Sequence, residues 1–183
     1  MRRVFLALLI TVHCALLATL LTACGFDPLY ARHGVGGPVA AIDGFNDIEI
    51  GNIPDRSGQY LRNAMMDRFY TKGRPLNARW ALEISPIRET RYNLGITKSA
   101  DATRAQLRLE TTITLAEKAT HKTVLTRSAT AMISYNILQS QFTTNVSEKK
   151  ARESGLDDLA QQVERHLALF FIHPEKMEAE PAQ

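Results

Sequence analysis

The sequence predicts an α+β fold: a two-layer sandwich of two helices packed on a four-stranded, mostly antiparallel sheet, in the order βαβββα. Three observations carry this. Leu107, Leu109, Ile113 and Leu115 share one parity with Thr111, opposite Gln106, Arg108, Glu110, Thr112 and Thr114. That is a long strand with one dry and one polar face. A second alternating run, about 123–137, follows after a short polar turn and makes an antiparallel hairpin with it. Two amphipathic stretches, at about 58–70 and 145–171, supply the helices that cover the dry face.

The elements follow in order. Residues 25–44 hold Pro28, Pro38 and four glycines from Gly34 to Gly44, which break any periodic pattern and predict a loop. Ile48 and Ile50 alternate with Asp47 and Glu49 as a short half-buried strand. Asp55 or Ser57 is placed to cap a helix whose stripe is Leu61, Ala64, Met65 and Phe69. Lys72-Gly73 and Pro75 end it. Trp80, Leu82 and Ile84 alternate as the second strand. Pro86 has no amide donor, so it marks an edge, a bulge or a break, past which residues 87–96 can continue extended. In the last helix Leu156, Leu159, Ala160, Val163, Leu167 and Phe170 share one face. Asn145 or Ser147 is placed to cap it, Gly155 weakens it by about 1 kcal/mol relative to alanine, and Pro174 stops it.

The N-terminus reads differently. Arg2 and Arg3 precede an apolar run over 4–21, which ends at Leu21-Thr22-Ala23-Cys24. Charge, apolar run and small residues are the layout of a secretory signal peptide, and a cysteine directly after them makes a bacterial lipobox, with Cys24 acylated as the first mature residue. The competing reading is a membrane-spanning helix, for which the run is near the lower limit of length. The expected organisation is a lipoprotein signal peptide over 1–23, a lipidated N-terminus and tether over 24–44, one α+β domain over 45–174 and a disordered tail over 175–183. Cys14 leaves with the signal peptide, so no disulfide is expected within the mature chain.

Charge excludes one function class. The net charge of +3 and pI near 9.0 include the signal peptide. Without it the balance falls close to neutral, and no nucleic-acid partner is inferred. The distribution is uneven, with ten Lys/Arg against five Asp/Glu over 74–130 and five against eight over 131–183. A basic middle fits an anionic partner, and it equally fits cross-strand ion pairs on a solvated face. Catalysis finds no support. His33, His121, His166 and His173 are isolated and read as surface residues, and none has a second ligand at metal spacing. Gly34-x-Gly36-Gly37 opens no helix. Asp157 and Asp158 are adjacent on a helix and diverge by about 100°. No enzyme, metal or cofactor is expected.

The chain resembles the LptE family, the outer-membrane lipoprotein subunit of the lipopolysaccharide (LPS) transport machine of Gram-negative bacteria. The resemblance rests on Cys24-Gly25-Phe26-x-Pro28-Leu29-Tyr30, on Ile53-Pro54-x-Arg56 with Leu61-Arg62-Asn63, and on Arg104-Ala105-Gln106-Leu107. Ser134-Tyr135-Asn136, Phe142 and Leu159-Ala160 complete it. It covers essentially the whole mature chain. It implies two helices on a four-stranded sheet, and a non-enzymatic protein that plugs and helps assemble an LptD-like β-barrel and binds LPS. It also implies a position on the periplasmic side of the outer membrane, held by the lipid on Cys24. The candidate LPS-contacting residues are Arg91, Lys98, Arg104 and Arg108. The alternative is a free-standing periplasmic lipoprotein that binds anionic lipid or glycan without a barrel.

Overall fold

A computed structural model describes residues 44–71, 73–96 and 102–172. The expected signal peptide and tether, Cys24, Lys98, Pro174 and the C-terminal residues lie outside the described residues. The chain enters through Gly44 and a 3-10 turn, Phe45–Asp47. The strands are β1 (Ile48–Ile50), β2 (Trp80–Ile84), β3 (Arg88–Ile96), β4 (Ala102–Glu117) and β5 (Thr123–Asn136), and the helices are α1 (Asp55–Phe69) and α2 (Gln141–Ile172).

β4 is the axis of the sheet. β5 runs antiparallel to it on one side, with Leu107 opposite Ile133 and Ile113 opposite Arg127. On the other side β2 and β3 lie end to end, both antiparallel to β4: Ile84 pairs with Ile113 and Arg88 with Glu110. Three residues, Ser85, Pro86 and Ile87, therefore oppose two, Thr111 and Thr112. This is a β-bulge, and it forms where proline removes a ladder donor. Ser85 N–H still reaches Thr112 O at 3.0 Å, and Thr111 Oγ1 donates to Ser85 O at 2.7 Å. The expected four strands are thus five, because the bulge divides one line of the sheet into two. β1 is parallel to β2, so the sheet is mixed.

The dry face is the one read from the sequence. Ala105, Leu107, Leu109, Ile113 and Leu115 of β4 are fully buried, with Leu125, Ala129 and Ala131 of β5 beside them. From α1 they meet Leu61, Met65 and Phe69, and from α2 Leu156, Leu159, Ala160, Val163 and Leu167. Phe45 closes one end, with its ring centroid 4.7 Å from Phe69 and 5.7 Å from Phe171, both edge-on. Each such pair adds about 1 kcal/mol to simple burial.

Two helix starts differ from the expectation. α1 begins at Asp55, whose φ is +68, after Pro54, and no side chain caps it. α2 begins at Gln141, four residues before the expected cap. Ser140 Oγ accepts from Thr143 N–H, and Thr144 Oγ1 links to the backbone N–H and C=O of Leu138. This first turn carries no inward stripe, since Phe142 is 77% and Val146 51% exposed. Periodicity therefore could not reveal it.

Gly58 shows how tightly α1 is seated. A Cβ there would lie 2.6 Å from Ile53 Cγ2 and 2.9 Å from the Ile53 carbonyl oxygen. Glycine to alanine in a helix ordinarily stabilises by about 1 kcal/mol. Here the obstacle is backbone, which does not yield cheaply. Gly58→Ala is expected to destabilise by about 1–2 kcal/mol, read as a lower urea midpoint; a raised midpoint would show that the turn at Ile53 gives way.

Candidate functional site

The helices cover one face of the sheet and leave the other open. Alternation along β4 puts Arg104, Gln106, Arg108, Glu110, Thr112 and Thr114 on the open side. The register adds their neighbours in rows. Leu94, Arg104 and Asn136 form one row; Tyr92, Gln106 and Ser134 the next; Thr90, Arg108 and Met132 the third; and Arg88, Glu110 and Thr130 the fourth. Past the bulge the face continues as a ladder of hydroxyls, Thr112 beside Ser128 and Thr114 beside Thr126. At the bulge lies a shallow hollow of about 590 Å³, lined by Ser85, Arg88, Glu110, Thr112, Ser128 and Thr130 among others.

This face is basic and apolar at once. Met132 is 62% exposed, Tyr92 44% and Leu94 38%. Arg104 and Arg108 stand about 13 Å apart along one strand. Arg108 Nη2 meets Glu110 Oε1 at 2.6 Å, while its Nε is buried without a hydrogen-bond partner among the described residues. Exposed pairs of this kind contribute little to stability, so the arginine is free to exchange its partner. Arg88 forms no ion pair among the described residues.

The structure divides the four arginine and lysine candidates. Arg104 and Arg108 share the open face, as their parity required. Lys98 lies outside the described residues. Arg91 is on the opposite face. It pairs with Leu107, a dry-side residue, and reaches toward α2. There its Nη1 lies 3.5 Å from Glu148 Oε2 and its guanidinium sits 5.7 Å from the Tyr135 ring centroid. Arg88, three residues earlier on β3, stands on the open face. Residues 88 and 91 cannot point the same way on one strand, and the register with β4 decides which of them faces outward.

Arg91 belongs instead to a charged clamp between β3 and α2. Arg152 Nε and Nη2 each donate to Glu89 at 2.7 Å, and Nη2 also donates to Glu148 at 2.8 Å. Tyr135 O–H donates to Glu148 at 2.8 Å. Burial, then the bond to Glu148, pushes the Tyr135 hydroxyl up to about 12. Burial works against ionisation of Glu148, but the hydrogen bonds from Tyr135 and Arg152 and the nearby arginine charges outweigh it and hold its carboxyl below the usual range. The Arg152 guanidinium is raised, chiefly by its bond to Glu89.

The remaining polar residues have structural places. Asp157 accepts from Tyr60 O–H at 3.3 Å and links the two helices. Asp158 accepts from Gln162. His166, expected at the surface, is partly buried; burial lowers its pKa, and Arg127 and Arg165 add to this. Among the described residues no group of three or more His, Cys, Asp or Glu side chains is placed to hold a metal, and no helix is long and apolar enough to cross a membrane.

Comparison with known proteins supplies the family. Residues 45–167 match the family model described as LptE, lipopolysaccharide-assembly. No curated protein matches the chain. Among solved structures the fold is similar to a putative lipoprotein from Caulobacter crescentus CB15, at 17% identity and TM-score 0.57, over 74% of this chain and 98% of that one. It is similar to the rare lipoprotein B from Shewanella oneidensis, at 9% identity and TM-score 0.56, over 70% and 97%. It is also similar to a minor lipoprotein from Acinetobacter baumannii, at 23% identity and TM-score 0.53, over 68% and 93%. At these identities the likeness is one of fold. With a family match that spans the α+β sandwich from Phe45 to Leu167, the chain belongs to the LptE family of lipopolysaccharide-assembly proteins.

Proposed function

We propose that this protein is a non-enzymatic lipoprotein of LPS assembly, acylated at Cys24 and held at the periplasmic side of the outer membrane. There it works with an LptD-like β-barrel, as its plug and assembly aid, and contacts LPS. The observation that carries the reading is the open sheet face of a family member. It sets Arg88, Arg104 and Arg108 among Tyr92, Leu94 and Met132. Guanidinium groups match phosphate oxygens with paired donors, and the apolar side chains between them suit an amphiphile whose phosphates lie beside acyl chains. The hydroxyl ladder toward Thr114 and Thr126 suits a wet interface, such as the polar lumen of a barrel.

The lipid determines where this face works. A single acyl chain gives weak and reversible binding, so firm attachment at Cys24 requires two or more.

The test has two arms. Tagged, lipidated protein extracted in detergent is expected to bring a β-barrel with it, and mass spectrometry to find acyl chains on Cys24. A soluble protein with an unmodified Cys24 and no barrel would remove the reading. The second arm is the double substitution Arg104→Glu and Arg108→Glu. It is expected to weaken LPS binding by about tenfold or more, as two opposed charges replace two matched ones. The thermal midpoint should fall only modestly, because Arg104 is exposed and the half-buried Arg108–Glu110 pair is partly solvated. Binding equal to that of the unaltered protein would return these arginines to ordinary surface charge.

A further inference from the structure

Among the described residues the sheet has three outer edges, and two of them are blocked by side chains. At β1 the Tyr70 hydroxyl donates to Ile48 O at 3.0 Å and accepts from Ile50 N–H at 3.1 Å, while Arg62 donates to Gly51 O at 3.0 Å. At β5 the Gln162 carboxamide imitates a neighbouring strand. Its Oε1 accepts from Thr130 N–H at 3.2 Å and its Nε2 donates to Thr130 O at 2.9 Å. Arg127 Nη1 takes Thr126 O at 3.1 Å. Such coverings are how soluble sheets prevent another chain from adding a strand.

Among the described residues β3 has no such covering. Thr112 O, on an even-numbered β4 residue, faces the β2 and β3 line, where it accepts from Ser85 N–H. In an antiparallel ladder both backbone groups of one residue point to the same side. The even residues of β3 are therefore bonded to β4, and Glu89, Arg91 and Asn93 turn their N–H and C=O groups outward. Among the described residues these groups have no backbone or side-chain partner. The clamp makes the contrast sharper. α2 grips β3 by the side chains of Glu89 and Arg91, through Arg152 and Glu148, and leaves the backbone uncovered. An edge held rigid in this way has little ordering entropy to lose on pairing.

We infer that the outer edge of β3, at Glu89, Arg91 and Asn93, receives an extended strand of the partner protein, which joins the sheet by backbone pairing. Resting on the reading above, the strand comes from the β-barrel polypeptide and not from a second copy of this chain. Charge separates the two occupants. Arg88, on the open face beside this edge, has no carboxylate partner among the described residues. A β3 strand of a second copy would bring only Arg88, Thr90, Tyr92 and Leu94 to that face. The fitting strand carries an acidic side chain against Arg88 and apolar ones against Tyr92 and Leu94. The alternating backbone donors and acceptors supply affinity, and these side chains supply selection.

Asn93 makes the test clean. It is exposed, forms no side-chain bond among the described residues and lies outside the clamp. In the full-length lipidated protein, Asn93→Ala keeps the outward N–H, whereas Asn93→Pro removes it and places a ring in the path of the incoming strand. Recovery of the barrel by affinity purification is expected to be equal for the unaltered protein and Asn93→Ala. For Asn93→Pro it should fall about tenfold or more, from a lost hydrogen bond and a steric block. A benzophenone amino acid at position 93 is expected to cross-link to the barrel in cells, and this arm stands even if the proline variant folds poorly. Full recovery with Asn93→Pro, or no adduct at 93 while the barrel co-purifies, overturns the edge proposal and leaves the barrel reading standing. An adduct of two copies of this chain overturns the choice of occupant. Failure of the unaltered protein to recover any barrel sinks the partner reading itself, and the edge proposal with it.

Discussion

Replacing Gly155 by valine is expected to destabilise the protein by about 3 kcal/mol, at the upper end of what overpacking a core costs. Gly155 is buried on α2 where the helix crosses β4 and β5. A Cβ at this position would lie 2.6 Å from Ile133 Cδ1 and 2.8 Å from Leu109 Cδ1. Intrinsic propensity runs the other way, favouring valine over glycine in a helix by a few tenths of a kcal/mol, so the sign of the measured change decides between propensity and packing. Denaturant unfolding of the two proteins is the measurement. A paired substitution locates the contact. Ile133→Val alone should cost about 1 kcal/mol through lost burial. In a Gly155→Ala background it should cost less, because it removes the methyl group that the new Cβ strikes. A coupling of about 0.5–1 kcal/mol is expected. Additive effects would mean that helix and sheet are not in contact at this point.

Gly155 also marks the limit of what the sequence discloses. Along one chain it is only a weak helix residue. Its reason is a neighbour 22 positions away, Ile133, and another on a different strand. Patterns confined to one element were legible: the polar turn before β5 at the surface, and the alternation of Leu107 to Leu115 with the stripes from Leu61 to Phe69 and from Leu156 to Phe170, which face the common core. Features needing two elements were not. The bulge at Pro86 was readable as an interruption, but its consequence required the register, which puts Arg91 under α2 and Arg88 on the open face. The candidate site was legible in the same proportion. Arg104 and Arg108 follow from parity on β4, whereas the interspersed Tyr92, Leu94 and Met132 do not. The blocking of strand edges by Tyr70 and Gln162 depends on separations of 20 to 32 residues, which no local pattern encodes.

Substituting Arg152 by methionine keeps an apolar stem of similar length and removes the one charge that joins Glu89 to Glu148. The expected loss is about 2 kcal/mol at neutral pH. Removing one partner of a fully buried pair costs more, about 3–5 kcal/mol, but these side chains are 28%, 32% and 23% exposed and water screens part of the repulsion that remains. Acid should reduce the difference. In the unaltered protein the Glu148 carboxyl is held below its ordinary 4.5. Its contribution is therefore fully present above about that pH and is lost as pH falls through the lower folded value. Without Arg152, Glu148 loses a hydrogen bond and a nearby positive charge that favoured the ionised form, so its pKa rises and its protonation on acidification costs less. Thermal midpoints of the two proteins should differ most near pH 7 and converge as the pH falls below the ordinary carboxylate range. A gap that stays constant over this range would assign Arg152 to packing and not to charge. Hydrogen exchange gives the link to function: with the clamp broken, the β3 amides bonded to β4 should exchange faster while those of β2, across the bulge, keep their protection. An edge loosened in this way must be ordered again by any strand that pairs with it, so the same substitution should weaken recovery of the barrel even though Arg152 lies on α2, away from the β3 edge.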